Sequence, residues 1–189
     1  MTAANALATD KEATQPYMVQ YLPPTSYQNC QLATAEEAYK YTILAEDFMV
    51  QTNLISTTVY DPEQYFEENI APRITNDITI SAPSVGLEVS GVDGATDLFL
   101  TFAERRLAYH VWDQARVCKS PDDEDMTKVY LREYGYVQNT DEGEGNGGIF
   151  NVFTTIELTF NGNLISRLVS TRRNTILDGD LGVLVSSFV

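Results

Sequence analysis

The chain contains one histidine, His110, and one tryptophan, Trp112, and both lie in the stretch LAYHVWDQARVC at 107–118. An imidazole titrates near pH 6.5 when unperturbed, which suits it to act as a general base at neutral pH. The same stretch adds an acid, a cation and a thiol in Asp113, Arg116 and Cys118. Strict alternation on a strand would sort these residues. His110, Trp112, Gln114, Arg116 and Cys118 take one face, and Tyr109, Val111, Asp113, Ala115 and Val117 take the other. Asp113 then points away from the imidazole, so any acid that orients His110 has to come from another element. Asp47, in "AEDF" beside Phe48, is the candidate, because a carboxylate hydrogen-bonded to a ring nitrogen fixes the tautomer and raises basicity. The alternative is that Asp47 faces water, as Glu46 does. His110 itself can be read as a base, as pocket lining, or as a core histidine with a satisfied hydrogen bond.

Further candidates lie downstream. Tyr130, Arg132, Tyr134 and Tyr136 alternate along one strand face. Phenols beside a pocket can donate to a developing enolate oxygen, although a tyrosine stripe also suits a half-buried sheet face or a dimer interface. Arg172 and Arg173 are consecutive on the last strand, so only one of them can face inward and bind a carboxylate there; pairing with surface acids is the other reading. Tyr41, on the apolar side of the first helix, completes the set of expected pocket-lining residues with Trp112, Tyr130, Tyr134, Tyr136 and Arg172.

Other chemistries are excluded by residue type and spacing. One histidine and two scattered cysteines cannot make a His/Cys zinc site, so no metal is expected. DDEDMTK at 122–128 lacks the sixth-position glycine of a calcium-binding loop. GEGNGG at 143–148 is surrounded by acids and is not followed by a helix, so it is no phosphate cradle. No G-x-S-x-G nucleophile elbow occurs. Cys118 and His110 share parity, but eight residues of strand separate them by roughly 26 Å.

The elements that position these residues can be read from caps and periodicity. Thr34 and Glu37 form a capping box, and Ala38, Tyr41, Leu44 or Ala45, and Phe48 follow at helical spacing, which predicts a helix over 35–52. A second helix starts at Asp61–Pro62, with Gln64 at its third position and Tyr65, Phe66 and Ile70 inward, and stops near Pro72. Ile78 and Ile80 alternate in a short strand over 76–83. A third helix is expected over 95–108 with Leu98, Phe99, Phe102 and Leu107 inward. Strands are expected at 109–118, 127–138, 149–160 and 164–175, with Asn161–Gly162 as a hairpin turn. The apolar tail LGVLVSSFV is expected to pair or pack. Residues 1–32, rich in Ala, Thr, Gln and Pro, read as a loosely ordered extension that docks through Tyr17, Tyr21 and Leu22, leaving 33–189 as a single domain. Helices first and long strands afterwards indicate an α+β fold, an antiparallel sheet with helices on one side.

With 189 residues and 43% hydrophobic content, the chain suits one core. A net charge of −15 argues against nucleic acid and against an anionic membrane surface, since both need Lys and Arg. No apolar run reaches the roughly 18 residues of a membrane span, and the first residues lack the features of a secretory signal. Two distant cysteines read as free thiols of a cytoplasmic protein.

The order of elements resembles the NTF2-like superfamily, specifically its SnoaL-like branch. The likeness is carried by the first helix at 35–52, by NDITISAPSVGLEVSGVDGATDLFLTFAERR and by IELTFNGNLISRLVSTRRN, over about residues 33–178. The resemblance implies a curved antiparallel sheet wrapped around the N-terminal helices as a cone with one deep pocket. Many SnoaL-like members carry a histidine at the start of the strand after the third helix, where His110 stands in AYHVWDQ. The resemblance further implies a homodimer formed through the sheet and a pocket for a small apolar or oxygenated metabolite. It fits a cofactor-free dehydratase, isomerase or cyclase with His110 as base and Asp47 as its orienter. The alternative is a non-catalytic module that binds a ligand or a protein.

Overall fold

In the computed structural model of the chain, the described residues are 30–57, 61–83, 86–120, 126–139, 149–177 and 184–185. The expected docking through Tyr17, Tyr21 and Leu22 lies outside them. The described chain begins with a two-residue strand, β1 (Gln31–Leu32), followed by helix α1 (Ala35–Thr57). The capping box that starts α1 is formed in full: the Glu37 backbone N–H donates to Thr34 Oγ1 at 3.3 Å and the Thr34 backbone N–H donates to Glu37 Oε2 at 3.1 Å. The helix runs one turn beyond its expected end, because Ile55 and Ser56 are still buried.

The second helical segment starts where expected. Asp61 Oδ1 accepts from the Gln64 backbone N–H at 3.0 Å, and Pro62 opens helix α2 (Pro62–Tyr65). The chain then widens into a π-turn at Phe66–Ile70 and tightens to a 3₁₀ turn at Ala71–Arg73 before entering strand β2 (Ile74–Ala82). Phe66 and Ile70 are buried, as their spacing requires.

The elements around the third helix differ from the expectation. Leu87–Ser90, read in the sequence as loop, forms strand β3 antiparallel to β2. Gly91, at φ +74°, turns the chain directly from β3 into helix α3 (Gly91–Arg105). The far end of α3 stops earlier than expected because Arg106, Leu107 and Ala108 pair with Asn139, Gln138 and Val137, so tertiary pairing overrides local helical spacing.

Four long strands follow: β4 (Arg106–Lys119), β5 (Met126–Asn139), β6 (Ile149–Asn161) and β7 (Leu164–Leu177). They form consecutive antiparallel hairpin pairs, while β2 lies parallel to β7, making the sheet mixed, in the order β1-β4-β5-β6-β7-β2-β3. Asn161 still pairs with Leu164, so the two turn residues are Gly162 and Asn163, with Gly162 at φ +60°. The apolar tail pairs as expected, Leu184 and Val185 (β8) lying against Leu177 and Ile176.

The helices cover one face of this sheet. Tyr41, Ala45, Phe48, Met49 and Ile55 of α1 and Ala95 and Phe99 of α3 form one core with Val117, Val129, Leu131, Ile156, Leu158, Phe160, Ile165 and Leu168. Phe99 is its hub, with ring centroids 6.4 Å from Phe48, 5.9 Å from Phe66 and 6.3 Å from Phe102.

The expectation of two free thiols is overturned: Cys30 and Cys118 form a disulfide across 88 residues. Its cause is the sheet edge. β1 pairs with the end of β4, Leu32 with Cys118 and Gln31 with Lys119, which brings Cys30 alongside. The same edge is fastened twice more, by Lys119 Nζ to Glu37 Oε1 at 2.5 Å and by the Ala33 backbone N–H to the Val117 carbonyl at 3.1 Å.

Candidate functional site

The position of every candidate on the sheet follows from register, because residues paired across strands lie on the same face. Val129, Leu131, Ile156, Leu158 and Leu168 mark the helix-facing side. The last row of that side with a described buried residue runs Ala115–Leu131–Ile156–Ser170. Two further rows continue toward the other end of the strands. One is Trp112–Glu133–Thr154–Arg172, and the next is His110–Gly135–Val152–Asn174.

A bulge decides which side His110 takes. Trp112 pairs with Glu133, but Gln114 pairs with Arg132, so Asp113 is an extra residue with no counterpart on β5. Positions 108, 110 and 112 therefore fall on the same side as Ala115 and Val117. Without the bulge, alternation from Val117 would carry Asp113, Val111 and Tyr109 to that side. This corrects the expected parity: Gln114, Arg116 and Cys118 fall on the side opposite His110 and Trp112.

The register also sorts the other expected site residues. Position 172 falls on the helix-facing side, paired with Thr154, and position 173 on the opposite one, paired with Phe153. Tyr130, Tyr134 and Tyr136 pair with Arg116, Val111 and Tyr109 and fall on the opposite side of β5 from Val129 and Leu131. Tyr130 is buried there, beside the Lys128–Glu157 ion pair at 3.2 Å. Tyr41 is buried within the core, its ring centroid 5.3 Å from that of Phe160. Phe160 pairs with Thr127, eight residues along β5 from the partner of His110, or roughly 26 Å of strand. Of the expected set, His110, Trp112 and Arg172 thus share two adjacent rows on one side. The tyrosines do not join them.

Asp47 is engaged by other partners. Its Oδ2 accepts from Arg73 Nε at 2.6 Å and its Oδ1 from Gln51 Nε2 at 3.3 Å. Gln51 in turn accepts from the Tyr65 hydroxyl at 2.5 Å, and Arg73 also donates to the Asn69 carbonyl. The Arg73 guanidinium holds the Asp47 carboxyl below the usual carboxylate range, and desolvation pushes the Tyr65 hydroxyl up. The network ties α1 to the α2 segment.

Glu133 and Asn174 were not singled out by sequence reasoning, which favoured the even-numbered stripe on β5. The signal that finds Glu133 is the parity of Val129 and Leu131 carried forward two residues, and Asn174 follows in the same way from Leu168, six residues before it. Among the described residues no cluster of His, Cys, Asp and Glu could hold a metal ion, and no helix is long and apolar enough to cross a membrane.

No protein-family model and no curated protein matches the sequence. Solved structures do match the fold. A hexachlorocyclohexane dehydrochlorinase (LinA) of type 2 superposes with TM-score 0.56 at 13% identity, covering 75% of this chain and 91% of its own. A proposed aromatic ring hydroxylase from Novosphingobium aromaticivorans gives 0.58 at 13% identity, with 76% and 96% covered. A proposed scytalone dehydratase from the same organism gives 0.53 at 15% identity, with 81% and 93% covered. The resemblance read from the sequence is borne out at the level of fold: helices and a mixed sheet in the NTF2-like arrangement.

Proposed function

We propose that the chain is a cofactor-independent enzyme that moves protons on a small, largely apolar, oxygenated molecule, in a dehydration, isomerisation or cyclisation. One observation carries the reading. The chain's only histidine, its only tryptophan and an arginine occupy adjacent register rows on the helix-facing side, just beyond the row of the buried Leu131 and Ile156. In this reading His110 takes the proton from carbon next to a carbonyl and returns it to a leaving hydroxyl. Arg172 stabilises the negative charge that develops on oxygen, and Trp112 provides an apolar wall. Two of the structural neighbours carry the names of elimination enzymes, a dehydrochlorinase and a dehydratase, which agrees with proton abstraction followed by loss of a leaving group.

Beyond the already buried Tyr130, Tyr134 and Tyr136 continue along the opposite side of β5, a placement that suits contact with a second copy, so the reading includes a homodimer formed through the sheet. The assignment to the cytoplasm rested on two free thiols, and the Cys30–Cys118 disulfide removes that ground.

Trp112 makes the test simple, since all tryptophan emission comes from this site. A panel of small apolar ketones, hydroxyketones and halogenated rings is titrated against the full chain while emission and substrate consumption are followed together. Quenching by a compound that is also consumed supports the reading. Quenching without consumption across the panel identifies a binding module instead, and no quenching at all contradicts a pocket beside Trp112.

A further inference from the structure

Resting on the reading of His110 as a base, we propose that Glu133 is the positioning residue that orients its imidazole, in place of Asp47. Three observations carry the proposal. First, both carboxylate oxygens of Asp47 are occupied, by Arg73 at 2.6 Å and Gln51 at 3.3 Å. Second, His110 pairs with Gly135 and Trp112 with Glu133, so Glu133 is the diagonal register neighbour of His110 on the same side of the sheet. Diagonal neighbours lie about 7–8 Å apart at Cα, within reach of a glutamate and an imidazole. Gly135, directly opposite His110, has no side chain to stand between them. Third, the same diagonal step makes an ion pair elsewhere in this sheet. Lys128 pairs in register with Thr159, and its Nζ meets Glu157, two residues back along β6, at 3.2 Å.

The chemistry follows from the pairing. A carboxylate that accepts from one ring nitrogen fixes the tautomer, leaves the other nitrogen free to take a proton, and stabilises the imidazolium that results. Glu133 acts through His110 and need not touch substrate. Arg172 falls in the same row as Glu133, two strands away, and is therefore a cation to control for.

The single histidine provides the test, because its ring signal in a proton NMR titration of the full chain needs no assignment. Other charged groups on elements packed against this side serve as controls. They are Arg106 on His110's own side of β4, Glu104 and Arg105 at the end of α3, Arg172 on β7, and Glu46 and Asp47 on α1, while Glu36, Lys40, Asp93 and Asp97 are exposed and Glu37 is paired with Lys119. The wild-type midpoint is expected above the ordinary 6.5. Glu133→Gln should lower it by about one unit or more, and Glu133→Asp should keep most of the wild-type value. Asp47→Asn and Glu46→Gln should leave it within a few tenths. A wild-type midpoint below 6, which requires no variant to fold, overturns the proposal. So does a Glu133→Gln midpoint equal to wild type, or a larger drop with Asp47→Asn. These readouts do not involve turnover, so they fail separately from the assignment of His110 as the base.

Discussion

Trp112 lies opposite Glu133 in the β4–β5 ladder while Gln114 lies opposite Arg132, and the unmatched Asp113 between them sets which side of the sheet His110 occupies. The bulge aligns the apolar half of β4, around Val117, with a polar half that carries His110 and Trp112. Bulges that re-aim side chains beside a site are a recurring device of sheets.

Because Asp113 is absorbed outside the ladder, its side chain should matter little to the fold around His110. Asp113→Ala should keep the thermal midpoint and the His110 ring signal close to wild type, since the bulge residue has no register partner. Deleting Asp113 should leave Trp112 opposite Glu133 and Gln114 opposite Arg132 in a now regular ladder, so His110 stays on the helix-facing side and its ring signal stays close to wild type. A deletion variant with a strongly shifted ring signal would show that Asp113 is not the unmatched residue of this ladder.

The Cys30–Cys118 disulfide closes a loop across 88 residues. On a chain-entropy basis, its removal should destabilise the fold by about 2–5 kcal/mol. Thiol titration of the native chain should find none before reduction and two after, with a lower denaturation midpoint in the Cys30→Ser/Cys118→Ser double variant. Two reactive thiols in the protein as isolated would contradict the bond.

Glu37 gives the edge an acid-sensitive fastening. The Lys119 ammonium, with help from the Thr34 hydroxyl and backbone N–H, lowers its carboxyl from the usual 4.5 to about 2. A group depressed in the folded state stabilises fully above its unfolded value, and that contribution fades as pH falls through the folded one. Glu37→Gln should therefore flatten the acid side of the stability curve between about pH 4.5 and 2, read by urea denaturation at stepped pH. A variant curve parallel to wild type across that window would count against the clasp.

Phe99 meets Phe48, Phe66 and Phe102 and is 6% exposed, so it joins α1, the α2 segment and α3. Phe99→Ala should cost about 3–5 kcal/mol through lost burial and a residual cavity. A loss below about 1 kcal/mol would mean that the three helices pack independently of this ring.

Much of this architecture was legible before any coordinates. Thr34 with Glu37, and Asp61 with Pro62 and Gln64, are local hydrogen-bond patterns, and local patterns can be read directly. The four long strands came from alternation within single segments. The features that escaped involve pairs distant in sequence. Nothing near Cys30 announces Cys118, the helical spacing of Leu107 gave no warning that β5 would pair with it, and the fate of Asp47 depended on Arg73, 26 residues away. The bulge at Asp113 belongs with these, since it exists only relative to β5, and one unpaired residue reversed the side assigned to half of the strand. Of the proposed site, His110, Trp112 and Arg172 were candidates in the sequence, while their sheet neighbours required the register.

The central claim is that His110 transfers the proton, and the most direct measurement is turnover of the best substrate from the panel by His110→Ala beside wild type. The account predicts a fall of roughly 10²–10⁴-fold in kcat, with stability within about 1–2 kcal/mol of wild type. Undiminished turnover by a folded His110→Ala chain would contradict it.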